Sequence, residues 1–120
     1  MKQISVTILL LAILSCNREE VIPNTCGVKR PLRDLSWLRT WIEASKNVSA
    51  DVTIYSARYK GQTAFLLDYF YGPDYGEATL HRCDGSLICT VKMTIGGPVG
   101  DCYTIRDQIS EQKKIFERKR

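Results

Sequence analysis

Glu77-Ala78-Thr79-Leu80-His81-Arg82-Cys83-Asp84-Gly85-Ser86-Leu87-Ile88-Cys89-Thr90-Val91-Lys92 is the stretch on which the fold turns. Asp84-Gly85 is a two-residue hairpin signal between two strand-like runs. It sets Cys83 opposite Ser86, Arg82 opposite Leu87, His81 opposite Ile88 and Leu80 opposite Cys89. Cross-strand partners share a face, and neighbours along a strand alternate. One face then carries Ala78, Leu80, Leu87, Cys89 and Val91. The other carries Thr79, His81, Cys83, Ile88, Thr90 and a possible charge pair, Glu77 with Lys92. Cys83 and Cys89 point apart, so they are not expected to bond to each other.

Upstream, Asp51–Tyr59 and Gln62–Tyr71 read as a second hairpin closed by Lys60-Gly61. Its register pairs Val52 with Tyr69, Ile54 with Leu67 and Ser56 with Phe65, and those residues form one apolar face. Thr53, Tyr55, Tyr59, Gln62 and Asp68 lie on a half-wet face, as antiparallel sheets allow. Before it, Asp34–Lys46 reads as a helix with Asp34 as N-cap and Pro31 just upstream. Leu35, Leu38 and Ile42 form its apolar stripe, with Trp41 beside it and both Trp37 and Trp41 packing on the sheet. Gly72–Gly76 is a loop, and Thr94–Asp101, with its glycines and proline, is expected to be irregular. In the tail, Ile105 and Ile109 suit a short helix, and Lys113–Glu117 suits an edge strand guarded by lysines. The expected fold is α+β: one N-terminal helix on a four- to five-stranded antiparallel sheet, stabilised by disulfides.

The chain has 120 residues, 44% hydrophobic and 25% charged, the profile of one globular domain. That length excludes a multidomain enzyme and a barrel of roughly 250 residues. The N-terminus is not part of the domain. Lys2 precedes an apolar run from Ile4 to Leu14 that is too short to span a bilayer and matches a signal peptide. Ile13-Leu14-Ser15-Cys16 resembles a bacterial lipobox, in which the chain is cut before the cysteine and the cysteine is lipidated. The resemblance implies a signal peptide over 1–15, a lipid anchor at Cys16 and a tether over 16–25. Arg18-Glu19-Glu20 is similar to a surface-export signal, so an outer-membrane lipoprotein facing outward is slightly preferred to one facing the periplasm. The mature chain loses Lys2 and keeps 16 basic against 13 acidic residues, or +3.

Of five cysteines, Cys26, Cys83, Cys89 and Cys102 then remain. An even set in an exported chain points to disulfides rather than to zinc, since no C-x-x-C pair is present. The hairpin leaves two connectivities. Cys89–Cys102, which closes the glycine-rich loop, is favoured, with Cys26–Cys83 left over. Cys26-Gly27-Val28, Pro31-Leu32, Tyr59-Lys60-Gly61-Gln62-Thr63, Asp84–Cys89 and Cys102 together resemble a family of small uncharacterised bacterial lipoproteins. The likeness covers roughly residues 26–117 and implies fold and location only, because that family has no assigned activity. Its members often carry cysteines in the loop corresponding to Tyr71–Tyr75, and this chain has none there.

Chemistry is sparse. His81, the only histidine, falls on the outer face with no carboxylate or nucleophile assigned beside it. Nucleophile-elbow, P-loop and H-E-x-x-H motifs are absent. Asp68, Asp74 and Glu77 read as solvated turn acids. Neither catalysis nor a cofactor or metal is expected. Tyr69-Phe70-Tyr71-Gly72-Pro73-Asp74-Tyr75 is the best recognition feature. Phe70, Tyr71, Asp74 and Tyr75 are the candidate ligand residues, with Phe70 and Tyr75 the better exposed and Tyr69 and Tyr71 turned to the core. A glycan or protein ligand fits such a patch. The expected protein is a monomeric, noncatalytic binding or structural module that contacts the membrane through its lipid and does not bind nucleic acid. An inhibitor of an extracellular or periplasmic hydrolase, acting through Gly96–Asp101, is the alternative.

Overall fold

A computed structural model describes residues 26–120. The expected signal peptide, Cys16 and the tether lie outside the described residues. Two short helices come first, α1 (Pro31–Asp34) and α2 (Ser36–Ser45). Five strands follow: β1 (Asp51–Tyr59), β2 (Gln62–Gly72), β3 (Tyr75–Arg82), β4 (Leu87–Thr94) and β5 (Gly97–Val99). One helical turn, α3 (Ile105–Gln108), leads into β6 (Ile109–Arg118). The strands make one antiparallel sheet in the order β5-β4-β3-β2-β1-β6. The described residues therefore form six strands rather than four or five, and the fold is mostly sheet.

The β1–β2 register is the expected one, with Ile54 against Leu67 and Ser56 against Phe65. Lys60 and Gly61 make its two-residue turn, both with positive φ (49° and 76°). The β3–β4 hairpin differs near its turn. Arg82 pairs with Ser86, and Gly85 N–H donates to Arg82 O at 3.0 Å, so Cys83, Asp84 and Gly85 form a three-residue loop. The register then slips once more between Leu80 and His81. The two departures cancel, and Leu80–Cys89 and Glu77–Lys92 stand opposite as expected. Between them the faces of Leu87 and Ile88 are exchanged. Leu87, opposite His81, is 53% exposed, while Ile88 joins the core cluster around Leu80 and Cys89.

Three other expectations are corrected. The single helix from Asp34 is two, broken by extended backbone at Leu35 (ψ 105°). Asp34 does not cap α2, because its carboxylate accepts from Arg30 N–H at 3.1 Å. The glycine-rich stretch is not wholly irregular, since Gly97–Val99 pairs with Lys92–Thr94. Both sheet faces carry a cover, and on the face expected to be half-wet Thr53, Tyr55, Tyr59 and Asp68 are partly buried and Gln62 is exposed. Leu38 of α2 covers Ile54, Phe65 and Leu67 on the first face, with Trp37, Trp41 and Ile42 around them. On the second face, Cys102 and Ile105 cover Ala64, Leu66, Leu80, Cys89 and Val91. Residues 100–108 cross that face, from Thr90 (which accepts from Cys102 N–H) to Tyr59 (paired with Ile109). Helix and strand both occur in the tail, one after the other.

Two disulfides fix these covers. Cys26 and Cys83 have Cα atoms 5.6 Å apart, and Cys89 and Cys102 5.3 Å apart. The favoured pairing is the one observed. Around Cys83 the turn is also held by hydrogen bonds. Trp37 Nε1–H donates to Cys83 O at 2.8 Å. His81 Nδ1 lies 3.0 Å from Gly85 O, and Nε2 lies 2.8 Å from Thr79 Oγ1. The imidazole stacks on the Trp37 indole, 5.5 Å between ring centres. His81 is therefore half-buried beneath α2 rather than on an open surface. This stapled turn and the Lys60-Gly61 turn share one end of the sheet. The Pro73-Asp74 and Ile95-Gly96 turns share the other, eight β3 residues or roughly 26 Å away.

Candidate functional site

At that second end, on the face crossed by residues 100–108, lies a cleft of about 570 Å³. Strand alternation builds its floor in rows. Phe70, Gly76, Met93 and Pro98 stand side by side across β2, β3, β4 and β5. The next row is Asp68, Ala78 and Val91, and Tyr55 and Leu66 close the far side. Tyr103, Ile105 and Arg106 form the opposite wall. Gly76 carries no side chain, which leaves the space between Phe70 and Met93 open. A Cβ there would also stand 3.2 Å from Tyr69 O.

The lining is apolar and aromatic, with much of it wet. Phe70 is 47%, Tyr75 44%, Met93 50% and Tyr103 64% exposed. Concave, mostly apolar walls with a few polar groups are what ligand sites have. Asp68 is the polar group at the floor. It is half-buried, and burial pushes its carboxyl above the ordinary aspartate value, with Arg106 pulling the other way. Asp68 and Arg106 form no ion pair, and Asp68 has no hydrogen-bond partner among the described residues.

The four candidate ligand residues separate. Phe70 and Tyr75 line the cleft. Tyr71 is bulged out of the β2–β3 register and belongs to the opposite face. There it continues an aromatic row from α2: Trp41 to Tyr69 is 5.0 Å, Tyr69 to Tyr71 is 6.0 Å, and Tyr71 to Tyr75 is 5.0 Å between ring centres. Asp74 is exposed in the turn and is not part of the lining. The loop is shorter than expected, because Gly72 and Tyr75 pair as strand residues.

Asp68 is the residue the sequence reading misplaced, since it is a cleft carboxylate and not a solvated turn acid. The signal was present: Leu66, Asp68 and Phe70 alternate onto one face, so an acid sits between two apolar neighbours. Tyr103 and Arg106 carried no such signal, because a chain crossing brings them to the cleft. Among the described residues, no group of three His, Cys, Asp or Glu side chains gathers as metal ligands would, and no helix is long and apolar enough to cross a membrane.

A raised carboxyl pKa is a statement about stability. The folded state holds the Asp68 proton more tightly than the unfolded chain does. Its stabilising effect is therefore full below the unfolded value, near 3.8, and is lost as pH rises through the folded value. Asp68→Asn should accordingly raise the melting temperature at pH 7, and the gain should shrink towards pH 3. Calorimetry at the two pH values checks this, and an equal melting temperature at pH 7 would contradict it.

No protein-family model, curated protein or solved structure matches this chain.

Proposed function

We propose that this protein is a noncatalytic binding module of the bacterial envelope, anchored by lipid at Cys16, whose ligand seat is the cleft between Phe70, Tyr75, Met93 and Tyr103. One observation carries the reading: a concave aromatic surface with a half-buried carboxylate at its floor. His81, the single histidine of the chain, lies on the other face beneath Trp37, away from this lining. Without a base beside a nucleophile, the cleft is suited to holding a ligand rather than converting one.

NMR titration of the purified protein with soluble oligosaccharides, short peptides and small amphiphiles tests the seat. Shifts should gather on Phe70, Tyr75, Met93 and Tyr103, and Tyr75→Ala should weaken them while leaving the fold intact. Shifts scattered over the surface would overturn it. The anchor is tested apart from the seat. Cys16→Ala should release the protein from membranes, and protease added to intact cells should reach it if it faces outward.

The inhibitor reading draws on a different feature. Ile95, at the β4–β5 turn, is 89% exposed. Thr94 Oγ1 braces the turn by donating to Gly97 O at 2.9 Å. A braced loop presenting one apolar side chain is a shape that enters a hydrolase pocket. Inhibition of an apolar-specific protease that disappears in Ile95→Asp would favour it.

A further inference from the structure

Resting on the cleft as a ligand seat, we propose that its ligand is an organic cation: an alkylammonium group whose stem lies among Phe70, Tyr75, Met93 and Tyr103 and whose charge meets Asp68. Three observations lead there. The first is the sign of the charge. The whole chain is +4, yet the charged side chains on the cleft face of the lining are Asp68 and Asp107 against Arg106; Glu77 borders the cleft but its side chain alternates to the other face with Tyr69 and Lys92. The cleft therefore opposes the sign of the molecule, and an anionic ligand would meet two carboxylates against one guanidinium.

The second is the state of Asp68. Its carboxylate is half-buried and lacks both an ion pair and a hydrogen bond among the described residues. Burying an acceptor without a partner costs free energy. A ligand ammonium supplies a charged donor and offsets that cost. A purely apolar ligand would remove the remaining water and deepen it.

The third is the wall chemistry. Tyr55, Phe70 and Tyr103 bring three aromatic residues to one cavity, and Tyr75 borders it with its ring against Tyr71. The negative faces of aromatic rings attract ammonium groups, more strongly once water is displaced. Met93, Val91 and Pro98 supply apolar contact for a carbon stem.

The test uses n-hexylammonium, with hexan-1-ol and hexanoate as matched neutral and anionic probes, at pH 7 and low salt. Binding is followed by NMR in the native protein and in Asp68→Asn. That variant keeps the side-chain shape and is expected to fold at least as well. Hexylammonium should bind about tenfold or more tightly than hexanol, and hexanoate should not bind. Asp68→Asn should erase the advantage of the amine and leave hexanol unchanged. Added salt should weaken the amine alone. A lysine derivative blocked at both backbone ends separates the two sources of the same chemistry. Binding equal to hexylammonium assigns a protein lysine, and binding by the free amine only assigns a small metabolite amine. Equal affinity for hexanol and hexylammonium would overturn the cation and keep the seat. Absence of shifts at Phe70 and Tyr75 with every probe would overturn the seat as well.

Discussion

Replacing Cys26 and Cys83 together by serine is expected to lower stability by about 4 kcal/mol. The bond closes a loop of 57 residues. On the chain-entropy account, freeing a loop that long in the unfolded state costs about 4 kcal/mol, and the 13-residue Cys89–Cys102 loop about 3 kcal/mol. A domain of this size has roughly 5–15 kcal/mol in all, so the first loss is a large part of it. Without the bond, Trp37, through its indole hydrogen bond to Cys83 O, still ties the turn to the N-terminal segment. Urea denaturation of the two double-serine variants checks the order. An equal or smaller loss for the Cys26–Cys83 pair would show that the longer loop is not the main constraint.

Gly85→Ala comes next. Gly85 has φ +88°, where an L side chain is strained, and its Cβ would stand 2.7 Å from Trp37 Cγ. The left-handed backbone alone costs about 1 kcal/mol or more. Forcing Trp37 aside adds an overpacking cost of about 1–3 kcal/mol. The expected total is about 3 kcal/mol. Gly61→Ala is the control, because Gly61 has φ +76° with nothing within 4 Å of the added Cβ. It should cost about 1 kcal/mol, the backbone part alone. Trp37 fluorescence should change in the first variant and not in the second. Equal losses would show that the indole yields freely and that the turn is not clamped by it.

The same turn shows what the sequence could and could not convey. The β1–β2 hairpin was legible because Lys60-Gly61 fixes a two-residue turn, and the apolar alternation admits one register. At Asp84-Gly85 the dipeptide was equally clear, but the turn takes three residues. Trp37 sits on Gly85 and the disulfide holds Cys83, so contacts distant in sequence select the loop. The bulge near Ile88 then returns the apolar residues to the core, which kept the outer part of the register readable. The helix break at Leu35 was not legible, since Asp34 is an equally good cap for one helix or a partner for Arg30 N–H. The cleft was half legible. Phe70 and Tyr75 came from aromatic density at a strand end. Asp68 needed the face assignment to be carried through, and Tyr103 and Arg106 needed the path of residues 100–108.

The stapled turn and the aromatic cleft occupy opposite ends of β3, and this has a mechanical meaning. Under the proposed anchor at Cys16 and ligand seat in the cleft, the chain would be pulled along the strands. Tension enters at Cys26, passes through the disulfide to Cys83 and runs down β3 towards Tyr75. Strands drawn lengthwise yield only when many cross-strand hydrogen bonds shear together, whereas strands pulled sideways peel one bond at a time. The load path bypasses α2, β1 and β6, which can stay folded while the β3 line bears the force. Reduction of the Cys26–Cys83 bond would reroute the same pull through α1 and α2 and unravel the helices first.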